Sequence, residues 1–123
     1  MIKRILVIAA IFLLINVMNA RAASLEDSLS FKVTIVESSM EYEWEYHNPD
    51  EFEYEHGNTV IKNGEARREV MKMFRYLNIS PDAKVKKMVA RLKKDGHSAI
   101  ERLEVRWING EEKLYTWVWD KKK

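Results

Sequence analysis

The chain has no cysteine, only four glycines and only two prolines among its 123 residues. Without cysteine there is no disulfide framework, no thiol nucleophile and no thiolate metal site. A lipoprotein is also excluded, since it needs a cysteine to carry the lipid. With so few glycines no phosphate-cradling loop or nucleophile elbow is present, and the short loops leave little room for an active site. We therefore expect no enzymatic activity and no cofactor.

The N-terminus has the order of a secretory signal peptide. Lys3 and Arg4 precede an apolar run from Ile5 to Met18, and the small residues of Ala20-Arg21-Ala22 provide a cleavage site. The apolar run is shorter than the roughly 20 residues that span a membrane comfortably. We predict a signal peptide for the Sec pathway at its start and a secreted or cell-envelope protein after cleavage. An uncleaved anchor is the alternative.

Cleavage would change the charge balance of the chain. The signal peptide covers residues 1–22 and leaves a single domain over residues 23–123. The precursor has 21 basic and 19 acidic residues, and three of the basic residues lie in the signal peptide, which leaves 18 basic residues against 19 acidic ones. A nearly neutral exported domain has little overall attraction for nucleic acid, so we expect no nucleic-acid partner.

Alternation of apolar and polar residues predicts strands in the first part of the domain. Residues 29–35 and 40–46 alternate with period two, which is typical of half-buried strands. In the second of these, an aromatic face opposes a purely acidic one. Another strand is expected around Phe52 and Tyr54, followed by a bulge or turn at Gly57 before a short apolar segment.

Helical periodicity begins at Asn63, which we predict as the N-cap of a helix that ends near Asn78. A second helix is expected with Ser80 as its N-cap and Pro81 in its first turn. Gly96 stands where the left-handed residue after a helix is common, so it is predicted to end this second helix.

A closing hairpin turns at Asn109-Gly110, and its register decides what is exposed. A two-residue turn would place Trp117 opposite a charged neighbour and create an exposed aromatic patch. A three-residue loop with Gly110 in a left-handed conformation would pair odd with odd positions and place the rings beneath the helices. We favour the second register because it collects the large rings into one core.

The order of elements, strands followed by two helices and a hairpin, predicts an α+β fold. We expect an antiparallel sheet with both helices packed on one face. The strand-rich start, the acidic aromatic strands, the break at Leu77-Asn78-Ile79-Ser80 and the final turn at Asn109-Gly110 resemble the YusW-like family. This resemblance implies a small exported protein of spore-forming Gram-positive bacteria. It implies no catalytic residues.

Acidic residues dominate the segment between Glu37 and Glu55, which contains eight carboxylates and no lysine or arginine. We interpret them as a solvated sheet face that discourages edge pairing. His47 and His56 flank this hairpin, so a zinc site formed with nearby glutamates is conceivable. No His-Glu-x-x-His spacing is present, and we keep these histidines only as weak metal candidates.

Basic residues dominate the helices instead, which indicates a surface that could meet an anionic cell-wall polymer, a membrane surface or an acidic exported protein. This basic helical face comprises Arg67, Arg68, Lys72, Arg75, Lys84, Lys87 and Arg91. We therefore predict a non-enzymatic exported binding protein. The alternatives are an inhibitor or modulator of an exported enzyme and, less favoured, a metal-binding protein that uses the acidic hairpin with His47 and His56.

Overall fold

Four strands precede two helices and two strands follow them in a computed structural model that describes residues 23–123. The elements are β1 (Ser30–Glu37), β2 (Met40–His47), β3 (Glu51–His56), β4 (Thr59–Lys62), α1 (Asn63–Tyr76), α2 (Val85–Lys94), β5 (Ile100–Ile108) and β6 (Leu114–Asp120). The predicted signal peptide lies outside the described residues. Within them, neither helix has the length and apolar character that a membrane crossing requires.

The six strands form one antiparallel sheet in the order β4-β3-β2-β1-β5-β6, which confirms the predicted α+β class. Strand β1 lies near the centre and pairs with β2 and β5 on its two sides. Val33 of β1 is directly opposite both Trp44 and Val105. Because side chains alternate along each strand, this register gathers the apolar members of all three strands on one face.

Both helices pack on that same face, as predicted. Helix α1 lies over β2, β3 and β4, whereas α2 lies over β5 and β6. The Phe74 ring of α1 meets Phe31 edge-on at 5.0 Å, and the Trp117 indole N–H donates to the Ala83 carbonyl just before α2 (2.9 Å). We call this side the helix-covered face and the other side the open face of the sheet.

The segment before β1 closes one end of the core. Leu25 is buried, and Ser28 is only 1% exposed. The Ser28 hydroxyl donates to the Ser24 carbonyl and accepts the indole N–H of Trp107, both at 2.8 Å. These bonds satisfy polar groups that would otherwise be buried without partners.

The closing hairpin pairs odd with odd positions, so the favoured register is confirmed. Trp107 lies opposite Tyr115, and Val105 lies opposite Trp117. The predicted loop was wrong, however. Five residues, 109–113, connect the strands, and the left-handed residue is Glu112 rather than Gly110. A side chain at Gly110 is excluded for another reason, because a Cβ atom there would lie 2.6 Å from the backbone carbonyl oxygen of Asp27.

The predicted helix starts were less accurate. Helix α1 has Lys62 rather than Asn63 as its N-cap residue, and Asn63 has a left-handed φ of 63° where the chain turns out of β4. The prediction of Ser80 as the N-cap of α2 is wrong, since that helix begins at Val85 after an extended Lys84. Residues 80–83 form a separate turn, which the hydrogen bond to the Trp117 indole fixes against the sheet.

The predicted helix ends are confirmed. Gly96 follows α2 with φ of 95°, and the His97 N–H donates back to the Leu92 carbonyl (3.0 Å). Asn78 follows α1 with φ of 54°. Gly57, with φ of 59°, begins a two-residue turn between β3 and β4, so the chain makes a turn here and not a bulge.

Candidate functional site

The open face of the sheet carries glutamates in directly opposed pairs. Glu43 lies opposite Glu55, and Glu45 lies opposite Glu53, across β2 and β3. We call these four residues the glutamate ladder. Lys32 of β1, with its Nζ atom 3.6 Å from the Glu43 carboxylate, is the one lysine or arginine within 4.0 Å of the ladder in residues 23–123.

The ladder is crowded enough to change how a carboxyl group titrates. A hydrogen bond with Glu53, partial burial and the charge of Glu43 raise the pKa of Glu55 above its ordinary value. Opposed like charges on neighbouring strands reduce the stability of a sheet. The predicted acidic face is therefore present, and it carries an electrostatic strain that the alternation alone did not reveal.

The two candidate metal-binding histidines are not brought together. His47 pairs with Glu51 at one end of the β2–β3 ladder, whereas His56 pairs with Tyr42 at the other end. The two positions are therefore about 17 Å apart along the strand, and the two histidine side chains project from opposite faces of the sheet. His47 bonds to Glu45 at 2.6 Å, and His56 stacks on the Tyr42 ring at 4.7 Å.

The candidate residues His47 and His56 therefore do not contribute to one common site. A zinc site needs three or four ligands converging on one point, and the alternating directions of strand side chains separate His47 from His56. Within residues 23–123 no group of three histidine, aspartate or glutamate side chains has a geometry that could hold a metal ion.

The predicted basic residues lie above the other face of the sheet, six of them on the helices and Lys84 at the extended residue just before α2. We keep the name basic helical layer for these seven residues: Arg67, Arg68, Lys72, Arg75, Lys84, Lys87 and Arg91. Two of them are engaged within the fold. Arg67 lies 3.4 Å from Glu26 and 5.8 Å from the centre of the Phe52 ring, and the half-buried Arg91 donates to the Leu77 carbonyl at 3.4 Å.

The other five residues of the basic helical layer are exposed and have no carboxylate partner within 4.0 Å in the described part of the chain. The two helices meet where the Tyr76 hydroxyl donates to the Arg91 carbonyl at 2.6 Å. Among residues 23–123, the large hydrophobic side chains that are exposed all lie outside the helices. The layer is thus a charged surface without an apolar component.

The aromatic patch considered for the closing hairpin is not exposed. Tyr115, Trp117 and Trp119 are half-buried on the helix-covered face. The exposed apolar side chains of β6 lie on the open face instead, where Leu114 and Val118 are 49% and 50% exposed.

A small cleft that sequence reasoning missed opens between α1 and the segment after α2. Its floor is formed by Trp44 and Tyr54, and its volume is about 170 Å³. The other residues that line it are Glu69, Lys72, Met73, Tyr76, Asp95 and His97. We call it the aromatic cleft. Its members come from four separate stretches of the chain, so no local motif could have revealed it.

His97 forms one wall of the aromatic cleft and is held in place from behind. Its Nδ1 atom lies 2.7 Å from the Glu37 carboxylate, and the other oxygen of that carboxylate accepts the Ala99 N–H at 3.4 Å. Glu37, at the end of β1, thus fixes the loop after α2 against the sheet.

Comparison with known proteins gives no relative for this chain: no family model, no curated protein and no solved structure matches it.

Proposed function

We propose that the chain is an exported, non-enzymatic binding protein whose basic helical layer contacts an anionic polymer of the cell envelope. The observation that carries this proposal is the set of five exposed cations on the two helices and at the start of α2, which have no carboxylate partner within 4.0 Å in residues 23–123. Export is inferred from residues 1–22, and the resemblance to YusW-like proteins agrees with it. Release rather than lipid anchoring follows from the absence of cysteine.

A polymer rich in phosphate or carboxylate fits this surface better than a membrane does. Helices that bind membranes insert an apolar side between the headgroups. Here the apolar sides of α1 and α2 are buried against the sheet, through residues such as Val70 and Leu92. What remains exposed on the helices acts by charge alone, and such an interaction is screened by salt.

The test is retention of the domain, residues 23–123, on isolated cell walls at increasing salt concentration. Reversal of two charges in Arg75→Glu/Lys87→Glu is expected to reduce retention about tenfold or more, since each basic residue contributes about 1 kcal/mol near an anionic surface. Arg106→Glu/Lys122→Glu is the matched control, because it also reverses two charges, on exposed residues that lie outside both helices. Retention that does not change with salt concentration, or an equal loss of retention in the control variant, would contradict the proposal.

Vesicles separate the two anionic surfaces. The domain is expected to bind walls and purified anionic wall polymer more strongly than vesicles that contain anionic phospholipid at a similar charge density. Stronger binding to the vesicles would show that the surface is built for lipid headgroups and would contradict the choice of a polymer.

A second function is favoured by the edge of β6. The Asn109 N–H donates to the Lys113 carbonyl, and the Lys121 N–H donates to the Glu101 carbonyl. These two bonds show which residues form hydrogen-bonded pairs between β5 and β6. The odd-numbered residues of β6 therefore bond to β5, and the backbone groups of Leu114, Thr116 and Val118 point outward. An extended segment of an exported protease could add to this edge as a strand, which would make the chain an inhibitor or modulator.

If a protease segment adds to the edge of β6, Thr116→Pro should abolish copurification with the protease and restore cleavage of the protease substrate. The reason is that proline has no N–H group to donate to the added strand. Thr34→Ser, a conservative change in the sheet interior, is the control for general effects on the sheet. Unchanged copurification in Thr116→Pro would eliminate strand addition at β6.

A further inference from the structure

The floor of the aromatic cleft presents aromatic rings where the helices leave the sheet uncovered. The Trp44 and Tyr54 rings lie 5.2 Å apart on neighbouring strands, and Tyr42 stacks beside Trp44 at 6.2 Å. Trp44 is only 4% exposed, whereas Tyr54 is half-buried and supplies more of the accessible ring surface. The faces of such rings attract cations through their quadrupole.

Two carboxylates stand at the walls of the cleft. Glu69 lies on α1, and Asp95 is the C-cap residue of α2. Neither has a cationic partner within 4.0 Å among the residues that the structure describes. The C-terminal end of a helix also carries a partial negative charge, so α2 adds to the negative potential of this wall.

The titration of Tyr54 agrees with this picture. Burial first, and then the charge of Glu69 and the proximity of Tyr42, raise the pKa of the Tyr54 hydroxyl above its ordinary value. The negative charge of Glu69 thus acts at the Tyr54 ring, which is uncharged at pH 7.

We propose that the aromatic cleft binds a compact organic ammonium group, with Trp44 and Tyr54 beneath it and Glu69 and Asp95 as its counter-charges. A volume of about 170 Å³ lies below the range of about 300–1,000 Å³ that drug-sized ligands occupy, so the cleft accommodates one headgroup rather than a large molecule. This site is separate from the basic helical layer, apart from the rim residue Lys72 that the two share.

Lys72 is the one lysine or arginine among the residues that line the cleft. Its side chain is exposed, so the aliphatic stem can follow the rim while the ammonium group stays in water. Lys72 nevertheless opposes a bound cation, and this opposition gives the proposal an electrostatic signature that a purely structural role does not have.

Choline and its uncharged carbon analogue, 3,3-dimethylbutan-1-ol, provide the direct test with residues 23–123 of the chain. Binding is followed by tryptophan fluorescence and by NMR shifts of the Trp44 indole. We expect a dissociation constant on the order of a millimolar for choline, since few contacts form at a small site. The neutral analogue should bind at least about fivefold more weakly. Equal binding of the two would overturn the proposal.

Variants then identify the groups involved. Glu69→Gln and Asp95→Asn should each weaken choline binding about three- to fivefold, and Lys72→Gln should strengthen it by a similar factor. Glu111→Gln is the matched control, because it removes the same charge from an exposed residue of the loop between β5 and β6, away from the cleft. Circular dichroism confirms that each variant is folded. A loss of binding in Lys72→Gln, or equal effects in Glu111→Gln and Glu69→Gln, would refute the assignment.

Ethanolamine and free lysine distinguish the sources of the group. Tighter binding of choline than of both primary amines indicates a quaternary headgroup, whereas the reverse order indicates a lysine-like ammonium; failure of all three contradicts the site. The wall-binding variant Arg75→Glu/Lys87→Glu should bind choline normally, so the failure of one proposal does not decide the other.

Discussion

Glu55 is the residue at which the open face of the sheet is under the clearest electrostatic strain. It lies directly opposite Glu43, and a hydrogen bond with Glu53, partial burial and the charge of Glu43 raise its pKa. Replacement by glutamine keeps the shape of the side chain and removes one of the opposed charges. We therefore predict that Glu55→Gln stabilises the fold at neutral pH.

The magnitude follows from the pairing across β2 and β3. Directly opposed charged pairs change stability by about 0.2–1 kcal/mol, so the free energy of unfolding should rise by that amount at pH 7. The direction in which the free energy of unfolding changes with pH is also fixed. Because the pKa of Glu55 is raised in the folded state, the folded state binds more protons than the unfolded one as this group titrates. Stability from this group is therefore lost as pH rises through its folded pKa.

Urea unfolding of the wild type and of Glu55→Gln, measured from pH 3 to pH 8, checks this prediction. The difference should be largest at pH 7, decrease as pH falls through the ordinary glutamate pKa of about 4.3 and nearly vanish at pH 3, and shrink in 1 M salt. Glu41→Gln is the control, since Glu41 is opposite Val36 and pairs with no glutamate on β3. The reasoning fails if Glu55→Gln stabilises no more than the control, or if its gain persists at pH 3.

Three further changes test contacts within the fold by the midpoint of urea unfolding. Ser28→Ala should destabilise by about 1–3 kcal/mol, because the buried Trp107 indole N–H loses its acceptor; a change below a few tenths would show that water replaces the hydroxyl. Tyr76→Phe should cost about 0.5–1.5 kcal/mol through the lost bond to a backbone carbonyl of α2, and no change would mean that the bond adds nothing. Gly110→Ala should cost about 1–3 kcal/mol, since its Cβ would meet the Asp27 carbonyl oxygen at 2.6 Å, and a neutral effect would mean that the segment before β1 yields freely.

Local patterns were enough to predict most of the sheet. Alternation placed the apolar members of β1 and β2 on one face, and the pairing of Val33 with Trp44 and Val105 confirms it. The demand that the large rings share one core selected the register of the closing hairpin. These predictions succeeded because a slip of one residue would expose every apolar side chain of a strand.

Features fixed by contacts distant in sequence could not be predicted in this way. Ser80 looked like a helix cap, but the bond between the Trp117 indole and the Ala83 carbonyl holds the preceding turn outside α2. Gly110 was predicted to supply a left-handed turn, but its importance is the close approach of Asp27. The aromatic cleft likewise depends on which part of the sheet α1 leaves uncovered, and this is determined only by how the helix packs in the folded structure.

Stability does not explain the charge distribution of this domain. The glutamate ladder opposes folding through repulsion, and five cations of the basic helical layer gain no carboxylate partner within residues 23–123. The carboxylates of Glu69 and Asp95, which lie beside aromatic rings, have no cationic partner within 4.0 Å in that same part of the chain. Mixed charges on the same surfaces would solubilise the domain and avoid this repulsion. Charges that the fold does not use are available to a ligand, and this availability is the basis on which we propose binding at the basic helical layer and at the aromatic cleft.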